Sequence, residues 1–225
     1  MKETKKIRVK VKKRKLKVKN ILMFLISIIL IANFIYYMFN IKIKNIYVIN
    51  NNIISDKEII DNAKLRDYPP YLSSLSFIIE DNTLNNPYVK EVEVVKNRFK
   101  VYLYITEYKP LAIYKEQVLL ENGALVDNSY NINWLPMVIN DIDNLEFSEY
   151  FSKVDSDILL KISQIEYVPN DVDKDRYLLY MNDGNSVYIT LTKITKLNKY
   201  SSIVSQMEGE KGIIYLDSGD YIELK

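Results

Sequence analysis

The chain contains nineteen consecutive residues without a charge, from Ile21 to Phe39, and this segment most constrains what it can fold into. At a rise of about 1.5 Å per residue, a helix of this length spans roughly 28 Å, close to the roughly 30 Å hydrocarbon core of a bilayer. A buried helix of a soluble domain is rarely apolar on every face. A secretory signal has a shorter apolar core that ends in small residues, whereas this segment ends in aromatic residues, including Tyr36 and Tyr37. The segment therefore predicts one transmembrane helix that is not cleaved.

Residues 1–20 carry eleven Lys or Arg residues against the single acid Glu3. Because this basic excess lies only on the N-terminal side of the apolar segment, residues 1–20 are predicted to form a cytoplasmic tail, and the chain after Asn40 is predicted to be extracytoplasmic. Next to a bilayer, we expect the tail to bind anionic lipid headgroups. A nucleic-acid-binding arm can have the same composition. The tail lacks the helix, dimer or aromatic pattern of nucleic-acid-binding folds, so we predict no nucleic acid partner.

The composition excludes several classes of enzyme. The chain has no His and no Cys, so it cannot build a His-based triad, a Cys nucleophile or an ordinary zinc site. Only five glycines are present, and none belongs to a phosphate-binding loop of the G-x-x-x-x-G-K type. Carboxylate chemistry remains possible in principle, but no pair of acids is singled out by its spacing. We therefore predict no catalytic residue, no metal and no cofactor.

The charge balance outside the tail favours protein partners. The whole chain has 31 basic and 29 acidic residues, so the part after residue 20 has 20 basic and 28 acidic residues. This mild acidity disfavours binding of polyanions outside the membrane.

The first part of the extracytoplasmic chain predicts a strand, two helices and a hairpin. Residues 41–49 alternate as a strand that begins next to the membrane. Ser55 and Glu58 form a capping box for a short helix. A second helix is predicted over residues 74–85, with Leu75, Ile78 and Ile79 on one face, and Pro87 ends it. Two alternating segments, 89–95 and 101–107, then predict a β-hairpin with one buried side.

Four motifs in this part resemble the POTRA domain of the bacterial cell division family FtsQ, called DivIB in Gram-positive bacteria. VINN at 48–51 is similar to the family's strand-ending turn, and ISDKEI at 54–59 is similar to the start of its first helix. NPYVKEVEV at 86–94 and YITEYKPLA at 104–112 match the family's hairpin and domain end most specifically. Asn stands where the turn glycine is usual, and Phe99 stands where the second hairpin strand often begins with proline.

The second part of the chain is predicted to contain two hairpins and two helices. The hairpins turn at Asn122-Gly123 and at Asp183-Gly184. One helix is predicted over residues 155–165, from the spacing of Ile158, Leu159, Ile162 and Ile165, and another over residues 193–208. Two short strands, 212–217 and 221–224, close the chain. This part resembles the family's second domain, the β domain.

The residues and the resemblance together predict an α+β fold: a single N-terminal transmembrane helix, a POTRA-like β-α-α-β-β domain, and an α+β domain with a mainly antiparallel sheet. The expected segments are a tail at 1–20, the transmembrane helix at 21–39, the POTRA-like domain at 40–111 and the β domain at 112–225.

The resemblance implies a non-catalytic scaffold of the division machinery, held in the cell membrane by a single pass and enriched at the division septum. Implied partners are membrane proteins of the FtsB (DivIC) and FtsL types, with the septal transpeptidase as a further candidate, and the implied role is control of septal peptidoglycan synthesis. In the family, a terminal strand of the β domain pairs with partner subunits. Because an exposed edge strand can accept a partner strand, we expect Tyr215, Tyr221, Ile222 and Leu224 to lie near that contact.

Two other functions remain open at this point. A membrane-anchored cell-wall hydrolase could use paired carboxylates. A transport or assembly receptor could use the POTRA-like domain to deliver polypeptides.

Overall fold

The computed structural model describes residues 17–224, so the predicted lipid-binding tail lies outside the described residues except for its last four positions. The first helix, α1, spans Val18–Asn40 and confirms the helix predicted around the apolar segment. All but one of its residues are exposed, and within the described part of the chain it is the one helix long and apolar enough to span a membrane. An apolar surface on every side of a helix is what a surrounding bilayer would cover.

A three-stranded unit follows α1. Its elements are β1 Asn45–Ile49, α2 Asp56–Asn62, α3 Ser76–Leu84, β2 Val89–Asn97 and β3 Lys100–Glu107. The sheet order is β1-β3-β2, with β1 parallel and β2 antiparallel to β3. The predicted β-α-α-β-β order is therefore confirmed.

Local sequence signals explain most of this unit. The Ser55 side chain accepts a hydrogen bond from the Glu58 amide and so begins α2, as predicted. The tight turn between β2 and β3 places Arg98 and Phe99 at positive φ, 46° and 66°. This geometry suits a hairpin turn whose twist matches the flanking strands. Alternate residues of β3 are buried, and Leu103 is completely covered.

The apolar face predicted for the second helix is only partly buried. Ile79 is buried, but Leu75 and Ile78 are exposed. Thr83, four residues after Ile79, is buried instead. The helix is only nine residues long and contacts mainly β2, so a single row of side chains is enough to cover the sheet beside it. The first strand also begins at Asn45 rather than Ile41, although Lys42 forms an isolated bridge with Pro70.

A nine-stranded unit forms the rest of the chain. Its first strands are β4 Pro110–Tyr114, β5 Gln117–Leu120, β6 Leu125–Asp127 and β7 Met137–Val138; then come α4 Asn144–Phe151, α5 Ser156–Leu159, β8 Ile162–Tyr167, β9 Arg176–Met181 and β10 Ser186–Thr190. A 3-10 helix Leu191–Lys199, α6 Tyr200–Ser205, β11 Gly212–Tyr215 and β12 Tyr221–Leu224 complete it. The strand order is β12-β11-β10-β9-β8-β7-β4-β5-β6. Five of the eight neighbouring pairs are antiparallel, as predicted for the β domain.

The helix predicted over residues 155–165 is wrong. Only residues 156–159 are helical, and β8 begins at Ile162. Ile162 and Ile165 are both buried because the strand has a register shift between Ile162 and Gln164. An extra residue in a strand turns an i, i+3 pair to the same face, which imitates helical spacing in the sequence.

The helix predicted over residues 193–208 is present in a different form. A 3-10 helix covers residues 191–199, and the α-helical part ends at Ser205. Ile194, Leu197 and Tyr200 of this segment are buried.

The two units share a core at β5. Leu119 belongs to the main core of the nine-stranded unit, whereas its neighbours Val118 and Leu120 belong to the core that contains Leu103 and Ile59 of the first unit. Because successive side chains of a strand point to opposite faces, β5 contributes to both cores.

Candidate interaction surface at the edge of the nine-stranded sheet

The last strand of the chain lies at one end of the nine-stranded sheet. On one side β12 pairs with β11 in the register Gly212↔Leu224 to Tyr215↔Tyr221. On its other side it has no partner strand among residues 17–224. An edge of this kind presents backbone N–H and C=O groups that a further strand can pair with.

Three tyrosines form a ladder across one face of this edge. Tyr221 of β12 stacks on Tyr215 of β11 with ring centroids 4.5 Å apart, and Tyr215 stacks on Tyr188 of β10 at 5.3 Å. The Arg176 guanidinium lies 3.9 Å from the centroid of the Tyr188 ring and ends the ladder. Stacked aromatic rings and a guanidinium bring a large, stiff contact area to a surface at low cost in conformational entropy.

The four residues predicted from the sequence fall on both faces of this edge. Tyr215 is half-buried in the ladder, and Tyr221 is 50% exposed at its end. Ile222 lies on the other face, packed against the main core. Leu224 lines a shallow groove with Ile222 and Met207 and is 53% exposed. The sequence did not indicate Tyr188 or Arg176, because the pairing of β10 with β11 brings Tyr188 to the ladder and the pairing of β9 with β10 brings Arg176 there.

Charged groups anchor the turn that leads into β12. The buried Asp217 carboxylate accepts a hydrogen bond from Arg176 Nε at 2.6 Å, and Lys193 Nζ donates to the Asp217 carbonyl. Lys196 Nζ lies 2.6 Å from the Asp220 carboxylate. Burial raises the pKa of Asp217, but the hydrogen bonds from Arg176 and Ser218 outweigh it, so this pKa lies below its ordinary value. Asp217 is therefore charged at neutral pH and holds the turn through its ion pair.

A glycine lets β12 approach β11 closely. A Cβ atom at Gly212 would lie 2.4 Å from the carbonyl oxygen of Glu223, so no larger residue fits without moving β12. The Gly212 amide donates to the buried Asn185 side chain, which in turn donates to the Tyr200 hydroxyl. Tyr200 donates to Asp183 at 2.8 Å, and burial raises the pKa of Tyr200 far above its ordinary value. The start of β11 is thus fixed to the Asp183-Gly184 turn.

Two polar contacts that the sequence did not indicate lie away from β12: the first fixes the end of β3 within the first unit, and the second joins the two units. The Glu107 carboxylate accepts hydrogen bonds from the amides of Asn52, Ile53 and Ile54 at 2.9 to 3.1 Å. The Tyr130 hydroxyl donates to Glu58 at 2.5 Å.

Burial and the bond to Glu58 raise the pKa of Tyr130 to about 12, so Tyr130 remains a neutral donor. Asn86 joins this contact by donating to Glu58 and to Tyr130. Nothing in local sequence connects positions so far apart along the chain.

A cleft between the units holds no pair of carboxylates. It encloses about 490 Å³, and Glu107 is the single acid among its lining residues. That carboxylate is already engaged by three backbone amides. Over residues 17–224, no cluster of three His, Cys, Asp or Glu side chains could hold a metal ion. The cleft therefore lacks the two free carboxylates that glycoside hydrolysis requires.

Comparisons with known proteins connect the chain with cell division. Residues 41–108 match the model of the FtsQ-type POTRA domain family. The chain is 32% identical over 194 residues to the cell division protein DivIB of Bacillus subtilis, covering 81% of this chain and 74% of that protein. It is 30% identical over 227 residues to DivIB of Bacillus anthracis, covering 93% and 85%.

A solved structure is also similar. The major extracytoplasmic domain of DivIB from Geobacillus stearothermophilus is 24% identical, with a TM-score of 0.39 over 46% of this chain and 96% of that domain.

Proposed function

This chain belongs to the DivIB family of cell division proteins, and we propose that within division it is a scaffold that binds its partners through the β12 edge. Membership of this family and the FtsQ-type POTRA domain make it a non-catalytic division protein. The wall-hydrolase alternative is thereby set aside. The proposed partners are membrane proteins of the FtsB (DivIC) and FtsL types and, beyond them, the septal transpeptidase. Through them the protein would help to control septal peptidoglycan synthesis.

One observation carries the proposal: the outer side of β12 is unpaired among the described residues while its inner side is firmly fixed. A partner segment that adds as a strand to β12 gains main-chain hydrogen bonds without any rearrangement of the sheet. The tyrosine ladder and Leu224 flank that strand on its two faces. Aromatic side chains beside an added strand are suitable anchors, because contact energy in interfaces concentrates in a few such residues.

The proposed location is the cell membrane, crossed once by α1, with the N-terminus in the cytoplasm and both units outside. Enrichment at the division septum belongs to the same proposal. The basic excess of residues 1–20 and the apolar helix support this orientation. The transport-receptor alternative has no support in the relatives, which are division proteins.

Site-directed crosslinking in dividing cells tests the edge. The chain has no cysteine, so a single introduced cysteine carries the only thiol. We expect Tyr221→Cys and Leu224→Cys to crosslink to a DivIC-type or FtsL-type partner. Val172→Cys is the control, since Val172 is 87% exposed in the loop between β8 and β9, and β9 is the third strand from β12 in the sheet order. Partner crosslinks at Val172 without any at Tyr221 or Leu224 would place the contact elsewhere.

Gly212→Ala provides a second test that substitutes no residue of β12 itself. The added methyl must displace β12, which hydrogen exchange of residues 221–224 would detect. We expect the full chain in detergent or nanodiscs to lose affinity for the partner at least tenfold. Unchanged affinity together with a detached β12 would show that the partner does not use this edge.

A further inference from the structure

The exposed apolar residues at the start of α3 have no place in the proposed partner contact. Phe77 is 64% exposed, and Leu72, Leu75, Ile78 and Tyr68 are also exposed. They lie within one short segment, residues 68–78, and helical spacing alone would have buried two of them. An exposed apolar patch on a folded domain marks a surface that something covers.

The backbone ties this segment to the end of α1. The Tyr71 amide donates to the Ile41 carbonyl at 2.8 Å, and the Ile43 amide donates to the Pro69 carbonyl at 3.0 Å. Ile41 follows the last residue of α1 directly. Residues 68–75 therefore lie beside the C-terminal end of α1, and no linker separates them from it.

The segment is also rigid. The Lys96 ammonium donates to the carbonyls of Tyr71 and Ser74 and lies 4.2 Å from the centroid of the Tyr71 ring. Tyr71 contacts Phe99 edge-on, and the Lys44 amide donates to the Phe99 carbonyl at 2.7 Å. Three segments, 41–44, 64–78 and 96–100, thus form one surface, which we call the base of the three-stranded unit.

The base of the three-stranded unit carries a strong net positive charge. Its three segments contain seven Lys or Arg residues and one acid, Asp67, whereas residues 101–224 contain ten basic and twenty acidic residues. The basic side chains of the chain after α1 are therefore concentrated where α1 ends. Lysine and arginine beside exposed aromatic and aliphatic groups are the composition of a surface that lies in the interface of a bilayer with anionic lipids.

From these observations we infer that the base of the three-stranded unit inserts Leu72, Leu75 and Phe77 into the outer interface of the membrane that α1 spans, with Lys42, Lys44 and Arg98 on lipid headgroups. The occupant of the patch is the lipid surface itself. The inference rests on the proposed insertion of α1. It assigns a second membrane contact, which fixes the tilt of the unit and hence the direction in which the β12 edge faces.

The topology supplies a control residue on the same helix. β1 leads away from α1, β3 runs parallel to it, and β2 runs back, so β2 begins at the far end of the sheet. Helix α3 ends five residues before β2 and therefore runs away from α1. Leu84, at its last position, is exposed like Phe77 but lies about 10 Å farther along the helix.

Single-cysteine labelling of the full chain in lipid vesicles tests this contact. A nitroxide is attached at Leu72→Cys, Phe77→Cys, Leu84→Cys, Val172→Cys or Phe34→Cys, and its exposure to oxygen in the bilayer and to a nickel chelate in water is compared. Vesicles of phosphatidylcholine with phosphatidylglycerol are expected to give a ratio of oxygen to nickel exposure at positions 72 and 77 several-fold above that at positions 84 and 172. Vesicles of phosphatidylcholine alone should give a smaller difference.

The position 34 label separates failure of the inference from failure of its premise. If position 34 is in the bilayer while positions 72 and 77 resemble position 172, the base does not insert and the inference is overturned. If position 34 is also in water, α1 itself is not inserted, and the proposed topology is wrong together with the inference. Labels at 72 and 77 that are shielded from both reagents would reveal a protein contact in place of lipid and would equally overturn it.

Discussion

At one end of the nine-stranded sheet, β6 is three residues long and lies against the first unit, whereas at the other end β12 has no neighbouring strand among the described residues. Val126 of β6 belongs to the core of the first unit, and the carbonyl of Asp127 accepts a hydrogen bond from Tyr88. Exposed edges invite unwanted pairing, so proteins cover them or keep them short. The β6 end is short and covered, as this rule requires. The β12 end is an exception, and this exception indicates a function there.

The difference extends to how each end is held. The β6 end is held by a shared apolar core and by the Glu58–Tyr130 contact. The β12 end is held by β11 on one side and by ion pairs in its turn, Arg176–Asp217 and Lys196–Asp220. We therefore expect substitutions at the β6 end to change stability, and substitutions at the β12 end to change binding with little effect on stability.

The largest expected effect is at β5, where two adjacent leucines serve different cores. Leu119→Ala and Leu120→Ala each remove a completely buried side chain, so each should cost about 2–5 kcal/mol of unfolding free energy. Leu120→Ala should raise hydrogen exchange in β3 of the first unit, and Leu119→Ala should raise it in β8 and β9. Urea unfolding and exchange mass spectrometry measure both. Identical exchange patterns for the two variants would contradict the division of the cores.

Glu107→Gln is expected to have the next largest effect. The amide of Gln can accept with one oxygen only, so at least one of the Asn52, Ile53 and Ile54 amides loses its partner. Leaving such a group unpaired should cost about 1–3 kcal/mol. The sole tryptophan, Trp134, lines the same cleft and is half-exposed, so its emission should report the loosening.

The control for Glu107→Gln is Glu91→Gln, which makes the same change on an exposed residue of β2. It should alter the unfolding free energy by no more than about 0.5 kcal/mol. Equal effects of the two substitutions would mean that the Glu107 contacts do not stabilise the first unit.

The elements that could be predicted from the sequence are those with local causes. The Ser55 cap, the hairpin turns and the alternating strands depend on neighbouring residues, and they lie where they were expected except that β1 begins at Asn45. The bulge in β8 could not be predicted, because the spacing of the apolar residues in this strand equals that of a helix. The exposure of Leu75 and Ile78 depends on which surface lies beside α3, and that surface is not specified by the helix itself.

The candidate site could be predicted in part. The sequence indicated the terminal strand, and the strand does lie at a sheet edge, but its binding role stays a prediction. Tyr188 and Arg176 could not be assigned to the site, since only the order of strands brings them beside Tyr215. The contacts at the β6 end were missed for the same reason, because Glu58 and Tyr130 meet only when the two units pack together.

Tyr130→Phe should have a smaller effect than Glu107→Gln. It removes the hydroxyl that donates to Glu58 and leaves the ring in contact with Tyr88 at 4.8 Å, so the expected cost is about 1 kcal/mol. The matched control is Tyr180→Phe, which removes the bond from Tyr180 to Glu166 at 2.8 Å within the nine-stranded unit. Hydrogen exchange of α2 should rise only for Tyr130→Phe. A rise for both variants, or for neither, would show that this contact does not join the units.

The smallest expected effect is a local response of the β12 end to acid. The pKa of Asp217 in the folded protein lies below its unfolded value, so its ion pair contributes stability above the unfolded pKa and loses it as the pH falls through the folded value. Between about pH 6 and about pH 3, exchange of residues 212–224, corrected for intrinsic rates, should rise before that of β4 to β6. Asp217→Asn has no titrating group at position 217 and should reduce this response, while the Lys196–Asp220 pair remains. If residues 212–224 and β4 to β6 open together in acid, the two ends of the sheet unfold as one cooperative unit. The contrast between a β6 end held by a shared core and a β12 end held by ion pairs is then wrong.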